Sequence, residues 1–331
     1  MIKMHKALYK NGLVIGKFYP PHRGHKYLID TAKASCEHLT VILCWKKSET
    51  IPAIFRAQWL QKIHPDVEIK VIEDNKLDDN DSKGWAKFTL DILGYRPDAV
   101  FTSESYGDPY AAFMGTIHVL VDRDRTNIPI SATMVRSDPM KYFDMLEPCV
   151  RGYFARRICI IGAESTGTTT LAKDLAKYYN TVWVPECGRT YNDGKLFGKD
   201  RSLWTSEEFE YVAVMQNTLE NAMAEISNGL LICDTNAFAT GIWHERYLGH
   251  RSNKVEEMAK MCASDLYILT GDEIPFIQDG TRDGETIRHQ MHNRFIERLK
   301  EDNKPFVIVR GTPEQRLKSA VETINQLQNT I

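Results

Sequence analysis

A chain of 331 residues is longer than one average domain and divides most naturally into two of roughly 150 to 180 residues, each large enough to bury a core. Its formal charge of −2 argues against a nucleic-acid coat or a membrane-surface protein, so cationic character must be local to sites. The seven cysteines include no Cys-x-x-Cys pair and suit reduced core thiols, while signal-peptide cores and membrane-length apolar runs are missing, which predicts a soluble, cytoplasmic protein.

The first strand is predicted at Leu13-Val14-Ile15. It delivers the string Gly16-Lys17-Phe18-Tyr-Pro-Pro-His22-Arg-Gly24-His25 into a stretch where Leu28, Ala32 and Cys36 recur at helical spacing. Two histidines three positions apart then emerge on one face of the first helical turn. Backbone N–H groups at a helix start carry partial positive charge, Gly24 lets a ligand approach, and Lys17 and the imidazoles add donors, so the string predicts an anion site. An adjacent carboxylate or cysteine that would complete a zinc set is missing.

Downstream, strands are predicted over 39–45, 67–72, 99–102 and 118–121, with helices over 55–63 and 85–93 between them. Such alternation builds a parallel sheet covered on both faces, with ligands beyond the carboxyl ends of its strands. Ile130-Ser131-Ala-Thr133-Met-Val-Arg136 closes this half: a hydroxyl residue ahead of a helical pattern is an N-cap, and Arg136 lies one turn in.

A boundary follows over 148–157, where proline, glycine and arginines cluster. The strand Ile158-Cys-Ile-Ile161 then leads into Gly162-Ala-Glu164-Ser165-Thr166-Gly167-Thr168-Thr169-Thr170 and a helix with Leu171, Leu175 and Tyr178 on one face. Strand, glycine loop and helix are the context of a P-loop, whose amides cradle phosphates and whose hydroxyl holds a metal. One position departs from the pattern, since Thr168 stands where the P-loop lysine belongs. The missing charge could come from elsewhere, with Arg282 and Arg288 as the obvious sources. They lie in and just after the glycine-rich segment 279–285, which reads equally as a mobile lid or a solvated loop.

The run 230–234 is a buried strand ending in Asp234, placed to hold Mg²⁺ or to activate a substrate hydroxyl. Glu186 and Arg189 follow a short strand over 182–184 and are expected to line an acceptor site. Thr205-Ser-Glu-Glu208 is a capping box opening a helix to about 227. Last come strands over 265–270 and 306–309 and a helix from 312; His289 and His292 are read as helix surface.

Gly16-Lys-Phe-x-Pro-x-His22-x-Gly-His25 is similar to the signature of the nicotinamide mononucleotide adenylyltransferases. Ile-Ser131-x-Thr133-x-x-Arg136, about a hundred residues later, resembles their second signature, which grips the triphosphate. The same resemblance implies that Trp85 stacks on the nicotinamide, and it extends to Glu104 and Arg125 as substrate contacts. With the P-loop half following, Val150-Arg-x-Tyr-Phe ahead of its first strand and Glu164-Ser165 in its loop, nearly the whole chain resembles the bifunctional NadR-type proteins. These join nicotinamide mononucleotide adenylyltransferase to ribosylnicotinamide kinase.

The resemblance implies an α/β fold of two doubly wound parallel-sheet domains: a Rossmann-like nucleotidyltransferase domain over 1–150, then a P-loop kinase-like domain over 151–331. In the first, His22, His25, Lys17 and Arg136 would be catalytic, with Gly16, Phe18, Ser131 and Thr133 completing the ATP site. In the second, Asp234 would be catalytic, residues Gly162 and Glu164 through Thr170 with Arg282 and Arg288 would hold the nucleotide, and Thr169 and Asp234 the metal. Mg²⁺, with ATP as co-substrate, and the small molecules nicotinamide mononucleotide, ribosylnicotinamide and NAD are the implied ligands; a homo-oligomer is compatible with the sequence. DNA binding is not expected, because about a dozen residues precede the first strand where some relatives carry a helix-turn-helix. The alternative is an adenylyltransferase whose P-loop domain only binds or senses nucleotide, since Thr168 replaces the lysine.

Overall fold

The computed structural model describes residues 7–74, 77–78, 80–195, 203–278 and 285–329. Two compact units, residues 1–151 and 152–331, make up the chain. In the first, β1 (Tyr9–Gly16), α1 (Arg23–Ser35), β2 (Cys36–Trp45), α2 (Ala53–Ile63), β3 (Glu68–Glu73), α3 (Ser82–Leu93), β4 (Ala99–Thr102), α4 (Gly107–Met114), β5 (Ile117–Leu120) and α5 (Ala132–Ser137) follow in order. Their strands form one parallel sheet, β3-β2-β1-β4-β5.

Burial on both faces explains why β2 reads as an unbroken apolar run. Val14, Val41, Leu43 and Phe101 pack with α1 residues Leu28, Ile29 and Ala32, while Leu13, Ile42 and Val100 pack on the opposite face with Ala86 of α3 and Tyr110 of α4. Each such aliphatic side chain contributes about 1.5 to 3 kcal/mol when fully buried. The crossovers reverse direction between β1 and β4, so the loops after these two strands part and leave a crevice at their carboxyl ends.

After α6 (Pro148–Phe154), the second unit runs β6 (Arg156–Ile161), α7 (Thr168–Tyr178), β7 (Trp183–Val184), α8 (Cys187–Lys195), α9 (Ser206–Ile226), β8 (Leu230–Asp234), α10 (Ala237–Leu248), α11 (Asn253–Met261), β9 (Leu266–Thr270), α12 (Arg288–Glu301), β10 (Phe306–Val309) and α13 (Pro313–Asn329). Its parallel sheet has the order β10-β9-β6-β8-β7, with the P-loop strand in the middle. The capping box at Thr205 and Glu208 forms as the sequence predicts. Among the described residues, no helix is long and apolar enough to cross a membrane.

Five helices, α4, α6, α8, α10 and α11, lie where the sequence reading predicts none. α4, α6, α8 and α11 are short, at nine residues or fewer, and α10 buries six of its first seven positions, so in α10 no polar face alternates with an apolar one. His292 corrects a reading: it is buried on α12, while His289 is exposed and meets Asp272 at 2.7 Å.

Candidate active sites

In the first unit, β1 ends in the signature loop and α1 begins at its far end. His22 is the N-cap of α1, in extended conformation, and its Nδ1 accepts from the N–H groups of Gly24 and His25 at 3.1 and 3.3 Å. Two amides expected to face a phosphate are therefore taken by an imidazole. A neutral ring that accepts at Nδ1 carries its proton on Nε2, which leaves that N–H for a ligand. The His22 and His25 rings stack with centroids 3.8 Å apart, and Phe18, itself buried, meets His25 edge-on at 5.0 Å.

A cleft of about 570 Å³ opens beyond β1 and β4. It brings together Gly16, Lys17, Phe18, His22 and His25 from the loop, Trp85 from α3, Glu104, Arg125 and Ser131 from the loops across the crevice, and Thr133 from the first turn of α5. Trp85 also donates Nε1–H to the Asp78 carbonyl at 3.1 Å, so it is anchored as well as facing the cleft. Glu104 and Arg125 pair with each other at 3.0 Å. Ser131 caps α5 through the Met134 N–H.

Arg136 is not among the residues that line the cleft. Its guanidinium donates to the Tyr19 carbonyl at 2.5 Å and to Thr133 Oγ1 at 3.1 Å, and lies 4.5 Å from the Tyr19 ring centroid. The fully buried Arg56 approaches the same ring to 5.1 Å, donating to the Lys17 carbonyl at 2.8 Å and to Glu49 at 2.7 Å. Two guanidinium groups thus brace the signature loop. Arg56 carries no motif and gave no signal in the sequence.

Desolvation pushes both His22 and His25 well below the ordinary imidazole range, and the Arg125 charge adds to this. Both rings are therefore neutral at pH 7. Because they take up protons more readily in the unfolded chain, the pair gives up stability as pH falls below the usual histidine value. In the ligand-free protein their ring C–H resonances are expected to hold constant shifts from pH 8 to 5.5. A titration midpoint near the ordinary value of about 6.5 would contradict this environment.

The second cleft, of about 510 Å³, lies beyond β6 and β8. Gly162 sits where an added Cβ would come within 2.2 Å of Thr270 Oγ1 and 2.5 Å of Thr166 Oγ1, so only glycine fits. Gly167, at φ 81°, makes the left-handed step that starts α7. The loop residues Gly162, Glu164, Ser165, Thr166, Gly167, Thr168, Thr169 and Thr170 share the cleft with Glu186, Arg189 and Asp234. Arg288 does not line it, and Arg282, with residues 279–284 of the segment 279–285 read as a mobile lid or a solvated loop, lies outside the described residues.

Thr169 Oγ1 donates to Asp234 Oδ2 at 2.5 Å. Burial raises the pKa of Asp234, with the nearby hydroxyls of Thr169 and Thr168 and the charges of Lys173 and Arg189 opposing. Glu186 is pushed up to about 7, first by desolvation and then by the Asp234 charge, against the opposing pull of Arg189. The sequence did not single out the aromatic wall: Trp204, Phe209, Trp243 and Tyr247 flank this cleft, with Trp204 and Phe209 centroids 4.8 Å apart and Trp243 and Tyr247 6.4 Å apart. The available signal was the i, i+4 pair Trp243 and Tyr247.

The profile of a family described as an AAA domain matches residues 157–316. The "Trifunctional NAD biosynthesis/regulator protein NadR" of Escherichia coli K12 is 29% identical over 343 residues, covering 96% of this chain and 83% of the relative. Its Salmonella typhimurium LT2 counterpart is 28% identical with the same coverage. Among solved structures, NadR protein in complex with NR superposes with a TM-score of 0.77 at 19% identity, covering 97% of both chains. NadR protein in complex with NAD and AMP-PNP gives 0.77 at 18% identity, covering 98% of this chain and 97% of the other. By sequence over almost its entire length, and by fold, the chain is a homologue of the NadR proteins.

Proposed function

We propose that this chain makes NAD in two steps, phosphorylating ribosylnicotinamide at the P-loop cleft and adenylylating the resulting nicotinamide mononucleotide at the signature cleft. One observation carries the reading: each cleft joins a phosphate-binding turn to an indole, the His22–His25 turn to Trp85 and the P-loop to Trp204 and Trp243. A pyridinium ring is flat and cationic, and the negative face of an indole suits it. All seven cysteines are free, in keeping with a reducing cytoplasm.

At the signature cleft, a phosphate oxygen of nicotinamide mononucleotide attacks the α-phosphorus of ATP. The new O–P bond forms as the bond to the β-phosphate breaks, and pyrophosphate leaves. The attacking phosphate is already anionic, so no side chain need act as a nucleophile, and catalysis is positioning with hydrogen bonds to the reacting phosphate. His22 Nε2–H and His25 provide these, Lys17 faces the triphosphate, and Arg136 reaches it only by leaving the Tyr19 carbonyl.

At the P-loop cleft, the 5′-hydroxyl of ribosylnicotinamide attacks the γ-phosphorus and ADP leaves. Asp234 is engaged by the Thr169 hydroxyl, whereas Glu186 has the pKa of a base poised near neutrality. We therefore assign the proton to Glu186 and the metal to Thr169 and Asp234, so that Asp234 keeps the metal role expected of it and yields the activation of the hydroxyl. The hydroxyl and carboxylate oxygens suit Mg²⁺, which is commonly held by one or two protein oxygens together with phosphates. Among the described residues, no group of three or more histidines, cysteines and carboxylates is arranged to hold a metal, in keeping with that mode. When bound, Mg²⁺ would neutralise charge on the phosphate oxygens.

The test is product analysis of the full chain with ATP, Mg²⁺ and either nicotinamide substrate. Ribosylnicotinamide should yield nicotinamide mononucleotide together with ADP, and then NAD with pyrophosphate. NAD from nicotinamide mononucleotide, with none from ribosylnicotinamide, would leave the second unit as a nucleotide-binding module.

A further inference from the structure

The P-loop lacks its lysine, yet two buried arginines hold its backbone from outside the cleft. Arg316 of α13 is 4% exposed and donates from Nη1 to the Thr166 carbonyl at 2.6 Å. Its Nε reaches the Gly311 carbonyl at 3.0 Å, and its Nη2 reaches the Gly271 carbonyl at 3.1 Å and Glu273 at 2.8 Å. Arg288 of α12 is also 4% exposed and donates from Nη2 to the Ser165 carbonyl at 3.3 Å, while its buried Nε has no partner among the described residues.

The Ser165 and Thr166 carbonyls belong to the peptides that carry the Thr166 and Gly167 N–H groups. In a planar trans peptide the C=O and N–H point in opposite directions. A cationic donor on the carbonyl polarises the peptide and strengthens the N–H on its far side. Net charge is not what this cluster offers: Glu273 also pairs with Arg310, Asp272 takes His289 and Arg310, and Glu285 faces Arg288. Direction is what remains, because both guanidinium groups aim donors at two consecutive loop carbonyls.

We propose that Arg316 and Arg288 are positioning residues that, through the P-loop peptides, supply the phosphates with the stabilisation a lysine at position 168 would give. This rests on the reading of the second cleft as the site of phosphoryl transfer from ATP. A purely architectural role predicts a different pattern of coupling with position 168, which a double-mutant comparison detects.

The experiment measures initial consumption of ribosylnicotinamide by the full chain against ATP concentration, with Mg²⁺ in excess. Arg316→Gln should lower kcat/KM for ATP by about tenfold to a hundredfold, in line with losing hydrogen bonds from a charged group. Adding Thr168→Lys to it should recover most of that loss, a larger fold gain than Thr168→Lys gives in the otherwise unchanged chain. Equal gains in the two backgrounds, or no recovery, would overturn the proposal. Should Arg316→Gln lose the unfolding transition of the second unit, Arg288→Gln, which removes one loop hydrogen bond, serves for the same comparison. Absence of ribosylnicotinamide consumption by the unmutated chain would sink the kinase reading and this proposal together; activity without the coupling would sink this proposal alone.

Discussion

His25→Ala is expected to slow NAD formation from nicotinamide mononucleotide by about 10² to 10³, the usual cost of losing one preorganised donor to a reacting centre. The ring is wedged between His22 at 3.8 Å and Phe18 at 5.0 Å, so its orientation is set before substrate arrives. Desolvation and Arg125 keep it neutral, so the contribution proposed for it is a directed hydrogen bond rather than a full charge. His25→Asn, which keeps a donor of shorter reach, should fall between alanine and the parent. Pyrophosphate release measures the effect, and ribosylnicotinamide consumption in the same sample reports whether the second unit is intact. A near-parental rate of pyrophosphate release from a folded His25→Ala chain would remove His25 from the mechanism.

Both sheets were legible because their central strands are apolar on both faces and end in turns with unusual residue strings. β4, β8 and β10 have the bounds the sequence predicts, whereas β5 begins and ends one residue earlier. Residues close in sequence, such as the loop 162–170, were legible as a site because a P-loop is built from consecutive positions. What escaped is what only the tertiary fold assembles. Arg56 and Arg136 reach the Tyr19 ring from α2 and α5, and Trp204 joins Trp243 and Tyr247 from a different segment. The use of the Gly24 and His25 amides was also hidden, because a histidine N-cap has the same sequence whether its ring turns toward the helix or toward solvent. Arg288 was named as a charge source, but its contact is a loop carbonyl and not the cleft.

Glu186→Gln is expected to cut ribosylnicotinamide phosphorylation by about 10² to 10⁴, the range for loss of a general base. As the base, Glu186 would act only when deprotonated, and burial beside Asp234 holds its pKa up to about 7. In the parent chain, kcat/KM for ribosylnicotinamide should therefore rise with pH below about 7 and level off above it, while Glu186→Gln should be low and lack that limb. Asp234→Asn makes the distinguishing comparison. It removes the oxygen that Thr169 reaches at 2.5 Å, so activity should fall and the Mg²⁺ requirement should increase. It also removes the second cause of the raised Glu186 pKa, so the residual activity should keep its limb but display it at lower pH. If Glu186→Gln retains the limb and Asp234→Asn loses it, the proton passes to Asp234 and the division of roles is reversed.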